Sequence, residues 1–316
     1  MRLRTILAAA VLAVMTAACT ATPAPPPQPA PEKQTIRVGV LPTADVAPLF
    51  IALTKGYFAQ EGLAVEPVTG TGAGAMVPQV EAEVLDLAQT DYVASIVAGA
   101  AGKELKIVGA LAQAGIASYG IVVAADSKIK SVRDLKRKKV AVNNLKGSAT
   151  LGVTALLKDA GLSDKNVTFV EKPFPVMAHS LDDGEADAAW VAEPFLTEGI
   201  RKGVLRALPG TASGPYADLP SGGWMATDEW RTKNPATLAA FQRALAKGQR
   251  AASDRKEVEA VLPKYTKIEA ETAASVSLGS YPTALDPRRL QQVADLVLRL
   301  GYVDEPADVK GLIATS

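Results

Sequence analysis

The 316-residue sequence predicts an α/β protein of two lobes, each a mostly parallel sheet flanked by helices, with a cleft between them. Three observations predict it. Apolar strands alternate with helical patterns from residue 35 to 111 and again from 118 to 208. The chain is 48% hydrophobic and long enough for two domains, each with its own core. A late strand, Ser221–Ala226, followed by helical sequence reads as a return to the first lobe. The expected division is lobe 1 from 35–116 and 222–316 and lobe 2 from 117–221. The hinge crossings fall near 115–120 and 215–223.

In lobe 1 the expected strands are Thr35–Val40, Ala64–Thr69, Leu85–Gln89 and Leu105–Leu111. A helix over Pro48–Gln60 is closed by Gly62, one over Met76–Ala82 follows the turn GTGAGA, and another starts at 90–92 and runs to Ala101. This order implies right-handed crossovers. It also gathers three strand-to-helix loops at one sheet edge. They carry Pro42, Thr43 and Asp45, then Thr71 and Gly72, then Asp91 and Tyr92. Helix N-terminal N–H groups bind oxyanions and glycines let a ligand approach, so these residues are candidate ligand contacts. For GTGAGA, an ordinary tight turn fits as well. It has neither a P-loop ending nor the Gly-x-Gly-x-x-Gly spacing, so no nucleotide cofactor is expected.

Lobe 2 should open with the strand Ser118–Ala125, carrying Tyr119. A short serine-capped helix at 131–135 leads to the strand Lys139–Asn143, then to a helix over Gly147–Asp159 with Ser148 as N-cap. Asn143, the Ser148 hydroxyl and the N–H groups of Ser148, Ala149 and Thr150 form either an anion cup or a simple cap. The strand Val167–Glu171 follows. Next comes PFPVMAHSLDDGEADAAWVAEPF at 173–195, read as a helix over 176–183, a strand over Ala186–Val191 and a new helix opening at Glu193-Pro194. That strand delivers Trp190 and Glu193 to its carboxyl end, the usual ligand position of an open α/β sheet. A packed tryptophan and a first-turn glutamate fit the same residues. After the strand Val204–Leu208 comes the return strand with Trp224, then helices over 234–252, 255–262, 269–278 and 287–300.

Residues 1–18 have arginines at 2 and 4, an apolar run and small residues, which together read as a secretory signal. Thr16-Ala17-Ala18-Cys19 resembles a bacterial lipobox, in which the cysteine is acylated; leucine is usual where Thr16 stands. Residues 19–34 are proline-rich and read as an extended tether. The expected location is the extracytoplasmic face of a membrane, with the protein held there by lipid. The single cysteine and single histidine, His179, are too few for a metal site or a Ser-His-Asp triad. The formal charge of +1 leaves no electrostatic footprint for nucleic acid.

The 173–195 stretch resembles the second-lobe signature of periplasmic binding proteins for nitrate, taurine and aliphatic sulfonates. APLFIALTKGYFAQEGLAVEPV and LDLAQTDYVASIVAGAAGKELKIVGAL resemble their first lobe. Arg137 stands where that family commonly has glycine, a turn-level departure. The resemblance implies the type II periplasmic binding protein fold. It also implies a monomeric solute-binding component of an ABC importer, which closes on a small ligand and docks on a membrane permease. The same superfamily includes binders of thiamine-pyrimidine precursors. Its pyrimidine synthases rely on a cysteine-rich motif absent here, so enzymatic work would fall to Asp91 and Glu193. A third reading is a docking lipoprotein with an apolar surface patch.

The ligand stays open between two classes. The helix N-termini suit a sulfonate, nitrate or taurine-like zwitterion, the first choice. Trp190, Tyr92, Tyr119 and Trp224, with Asp45, Asp91 and Glu193, suit an aromatic amine such as an aminopyrimidine. No arginine falls in a cleft loop, and a bare inorganic anion usually recruits a charge partner or many N–H donors.

Overall fold

The computed structural model describes residues 29–211 and 220–314. The signal segment, Cys19 and residues 215–219 of the second crossing lie outside the described residues. Among those described, no helix is long and apolar enough to cross a membrane.

The first sheet contains β1 (Thr35–Val40), β2 (Ala64–Thr69), β3 (Leu87–Asp91), β4 (Leu105–Gln113) and β10 (Pro220–Thr227), in the order β2-β1-β3-β10-β4. The second contains β5 (Tyr119–Ala124), β6 (Lys139–Val142), β7 (Thr168–Glu171), β8 (Ala188–Ala192) and β9 (Leu205–Ala207), in the order β7-β6-β8-β5-β9. In each sheet one strand runs against the rest: β10 is antiparallel to β3 and β4, and β5 to β8 and β9. These are the two strands the chain enters on crossing from the other sheet. The remaining neighbours are parallel, with Val38 paired to Leu87 and Val140 to Ala188.

Alternation explains both cores. Ile36, Val38 and Val40 of β1 turn inward onto Leu49, Trp224 and Phe241. Val140 and Val142 of β6 pack with Ile121, Val153 and Leu157. The helix Pro287–Arg299 buries Leu290, Val293, Ala294 and Val297, the i, i+3, i+4, i+7 stripe of an amphipathic helix.

Several element boundaries differ from the sequence expectation. The helix expected over 48–60 is two, Ala47–Thr54 and Tyr57–Gln60, because Gly56 between them adopts a left-handed φ of 69°. The helix after GTGAGA begins earlier, at Ala73, with Gly72 as its cap residue. Ser148 is the first residue of its helix, Ser148–Asp159, and Gly147 occupies the cap position, so Ser148 is not the N-cap.

The last residues of the expected tether are docked. Ala236 N–H and Thr237 N–H donate to the Glu32 carboxylate at 2.9 and 2.7 Å, at the start of the helix Pro235–Ala251. Lys33 pairs with Asp86, which also accepts from Trp230 Nε1 at 2.8 Å. Burial works against the Glu32 charge, but the N–H donors of Ala236 and Thr237 win and lower its pKa from 4.5 to about 2. A lowered acid pKa gives stability that is complete above the unfolded value and is lost as pH falls through about 2. Glu32→Gln should therefore cost about 0.5–1 kcal/mol at neutral pH, screened by salt because the group is exposed. Thermal melts of the two proteins should converge as the pH approaches 2. A constant difference at every pH would show that the charge is not what stabilises the contact.

Candidate ligand-binding cleft

The carboxyl ends of β1 and β3, with the start of the helix after β2, face the loops and helices of the second sheet across a cavity of about 70 Å³. One ordered water needs roughly 10–15 Å³ by such a measure, so the space suits a small solute.

From the first lobe come Thr43 and Asp45 after β1, Ala73 after β2, and Gln89, Thr90 and Asp91 at the end of β3. From the second come Tyr119, Asn143, Ser148, Ala149 and Trp190. Trp190 forms a flat wall: it is buried and lies 6.2 Å from the Tyr119 ring at 23°. It rests on Gly152, where any Cβ would come within 2.9 Å of the indole.

Asp91 ends β3 and caps the helix Tyr92–Ala100, its Oδ1 accepting from Ala94 N–H at 2.8 Å. The same Oδ1 reaches across to the other lobe. It accepts from Ser148 N–H at 3.1 Å and from Ser148 Oγ–H at 3.0 Å. Asp45 accepts from the Tyr119 hydroxyl, a second polar tie between lobes. Burial pushes both aspartates above the ordinary carboxylate range. Hydrogen bonds from Ala94 and Ser148 oppose this at Asp91, and those from Tyr119 and Ser221 oppose it at Asp45. Thr43 Oγ1 is buried on the cavity wall with no hydrogen-bond partner among the described residues.

Other residues expected at the ligand lie off the wall. Trp224 is in the first lobe's core, edge-on to Phe241 at 5.6 Å. Tyr92 is buried beneath the cleft among Ile96, Ile107 and Val293. Thr150 Oγ1–H donates to the Asn144 carbonyl at 2.7 Å. Pro42 and Thr71 are not on the cavity wall. Gly72 abuts the Asn143 carbonyl of the other lobe, so closely that a Cβ would collide with it. Glu193 is a clamp: its Oε1 accepts from Ser277 N–H of the first lobe at 3.0 Å and from Thr197 Oγ1–H at 2.6 Å. Its backbone carbonyl accepts from Ala44 N–H at 3.0 Å.

Sequence reasoning missed the residues that hold the 43–44 loop. Tyr265 O–H donates to the Thr43 carbonyl at 2.9 Å and Tyr281 O–H to the Ala44 carbonyl at 3.0 Å. Tyr265 stacks on Phe50 at 4.0 Å. No local motif marks these tyrosines, because their partners lie more than 200 residues away in the chain. Phe174, Thr211 and Ser221 on the wall were also missed. His179 sits exposed on its helix beside Asp183, away from the cavity wall.

A family model described as NMT1/THI5 like matches residues 43–257, which span both lobes. The chain belongs to the NMT1/THI5-like family. This NMT1/THI5-like chain is 27% identical over 300 residues to a Bacillus subtilis protein named for aliphatic sulfonate binding, covering 88% of this chain and 85% of that one. It is 30% identical over 238 residues to a similarly named Escherichia coli protein, covering 72% of each. Its fold superposes on the alkanesulfonate-binding protein SsuA of Xanthomonas axonopodis, solved with MOPS bound, with a TM-score of 0.76 and 18% identity. That alignment covers 90% of this chain and 99% of SsuA. The NMT1/THI5-like chain thus has the two-lobed periplasmic binding protein fold.

Proposed function

We infer that this protein is the solute-binding component of an ABC importer, which captures a small organic solute by closing its lobes and delivers it to a membrane permease. The cavity between the two sheets, walled by side chains from both lobes, carries this reading. A solute touching both walls binds the closed form better than the open one and shifts the population toward it. Relatives named for sulfonate binding support the same role. Acylation of Cys19 would hold the protein at the extracytoplasmic face as a monomer.

Two solute classes fit the fold. The relatives' names favour an organosulfonate or taurine-like zwitterion. The wall favours an aromatic amine such as an aminopyrimidine, since it carries two carboxylates and, among the described residues, no lysine, arginine or histidine.

A thermal-shift screen of the purified protein against nitrate, taurine, alkanesulfonates and aromatic amines tests the reading. A true ligand at a hundred times its dissociation constant should add about 2.7 kcal/mol of stability. A saturable shift with one class supports transport. Silence across the panel, or chemical turnover of any member, would sink it.

A further inference from the structure

We propose that Asp91 sets the specificity of the cleft as a built-in anion, occupying the oxyanion position at the lobe 2 helix and making the site select an organic ammonium over a sulfonate or nitrate. The proposal rests on the solute-binding reading and names the class of solute.

The N-terminus of the helix Ser148–Asp159 faces the cleft with an N–H and a hydroxyl, the donors an oxyanion would seek. The chain's own carboxylate already has them. Asp91 Oδ1 takes Ser148 N–H, Ser148 Oγ–H and Ala94 N–H together, three donors converging on one oxygen. Asp91 Oδ2 lies against Gly147, where even a Cβ would come within 2.8 Å. A sulfonate oxygen has no place there unless Asp91 leaves, and its charge would meet two half-buried carboxylates with no lysine, arginine or histidine on the wall among the described residues.

The same groups suit a cation. Asp45 and Asp91 are half-buried on the cavity wall, and neither makes an ion pair among the described residues. Tyr119 donates its hydroxyl to Asp45 and lines the same cavity as Asp91. Partly buried carboxylates without a counter-charge carry a desolvation cost, and a bound ammonium would supply the charge they lack. Thr43 Oγ1, buried and without a partner among the described residues, offers a further acceptor on the same wall. Trp190 supplies an apolar face and a quadrupole that attracts cations. An ammonium on a small flat body would satisfy all of these together.

A matched pair of probes tests this: benzylammonium and benzenesulfonate, with the same ring and opposite charge. Titration calorimetry on the purified full chain should show saturable binding of benzylammonium at least tenfold tighter than benzenesulfonate. Asp91→Asn keeps the cap acceptor and removes the charge, and should lose benzylammonium affinity by tenfold or more. Asp91→Ser keeps the cap on the helix Tyr92–Ala100 and vacates the Ser148 donors. It should gain measurable benzenesulfonate or sulfate binding that the wild type lacks. Near-ultraviolet circular dichroism checks that both variants fold. Wild-type preference for benzenesulfonate would overturn the proposal and leave the transport reading standing. Unchanged charge preference in both folded variants would also overturn it. Wild-type silence toward both probes, with binding of nitrate or an alkanesulfonate, overturns the amine assignment alone. Silence toward every compound overturns the transport reading as well.

Discussion

Replacing Trp190 with alanine is expected to weaken solute capture by about thirtyfold or more and to destabilise the second lobe. The indole is both cavity wall and core: it packs on Gly152, lies near Tyr119 and is buried among Val153, Leu156 and Leu208. Removing a central aromatic anchor costs at least about 2 kcal/mol of binding, which is the thirtyfold factor. Deleting a buried tryptophan side chain costs about 3–5 kcal/mol of folding stability through lost burial and the hole left behind. Calorimetry well below the variant's melting temperature separates the two effects. Trp190→Phe should recover part of both. A folded Trp190→Ala protein with unchanged affinity would remove Trp190 from the site.

Gly72→Ala should block closure while leaving each lobe intact. Gly72 sits at φ −169°, an extended conformation that any residue adopts, so alanine adds no backbone strain to lobe 1. The new methyl instead meets the Asn143 carbonyl of lobe 2, a backbone atom that cannot rotate away. The lobes can avoid it only by parting. Parting them lengthens the Asp91–Ser148 and Ala44–Glu193 hydrogen bonds that run between the lobes. Small-angle scattering with saturating solute should show the variant more expanded than the wild type, with affinity reduced at least tenfold. A radius of gyration equal to the wild type's would show that the interface absorbs the methyl.

The contrast between Trp190 and Trp224 shows how much of this was legible in the sequence. On sequence grounds both are candidate ligand contacts, Trp190 at a strand's carboxyl end and Trp224 on the return strand. Trp190 is on the wall because β8 runs parallel to β6 and presents its carboxyl end to the cleft. Trp224 lies on β10, which runs the opposite way, and its side chain joins Phe241 in the core although its backbone is paired opposite Gln89. Strand alternation marks which residues share a face, but not which face meets the cleft when one strand is reversed. The strands themselves were readable because their apolar runs are bounded by turn residues. Asp91 and Ser148 were read separately as candidate ligand contacts. That they bind each other depends on how the two lobes meet, which no local pattern encodes. Glu193 shows the same limit: a carboxylate at a strand end reads as a ligand acceptor until Ser277, from the other lobe, is seen donating to it.

The placement of β10 also carries a consequence for the order of assembly. The second sheet is drawn from one uninterrupted stretch, β5 to β9, and can pair fully as soon as residue 207 is available. The first sheet cannot: β10 lies between β3 and β4, and Gly222 pairs with Asp91 from the far side of the entire second lobe. Closing that loop exacts its entropy before any reward from pairing, so the first lobe is the slow folder. A nascent chain would therefore carry a finished second lobe beside an open first sheet, with β3 and β4 unpaired along the edges that β10 will later join. Solute binding is expected only after that insertion, because β10 flanks the strand that bears Asp91.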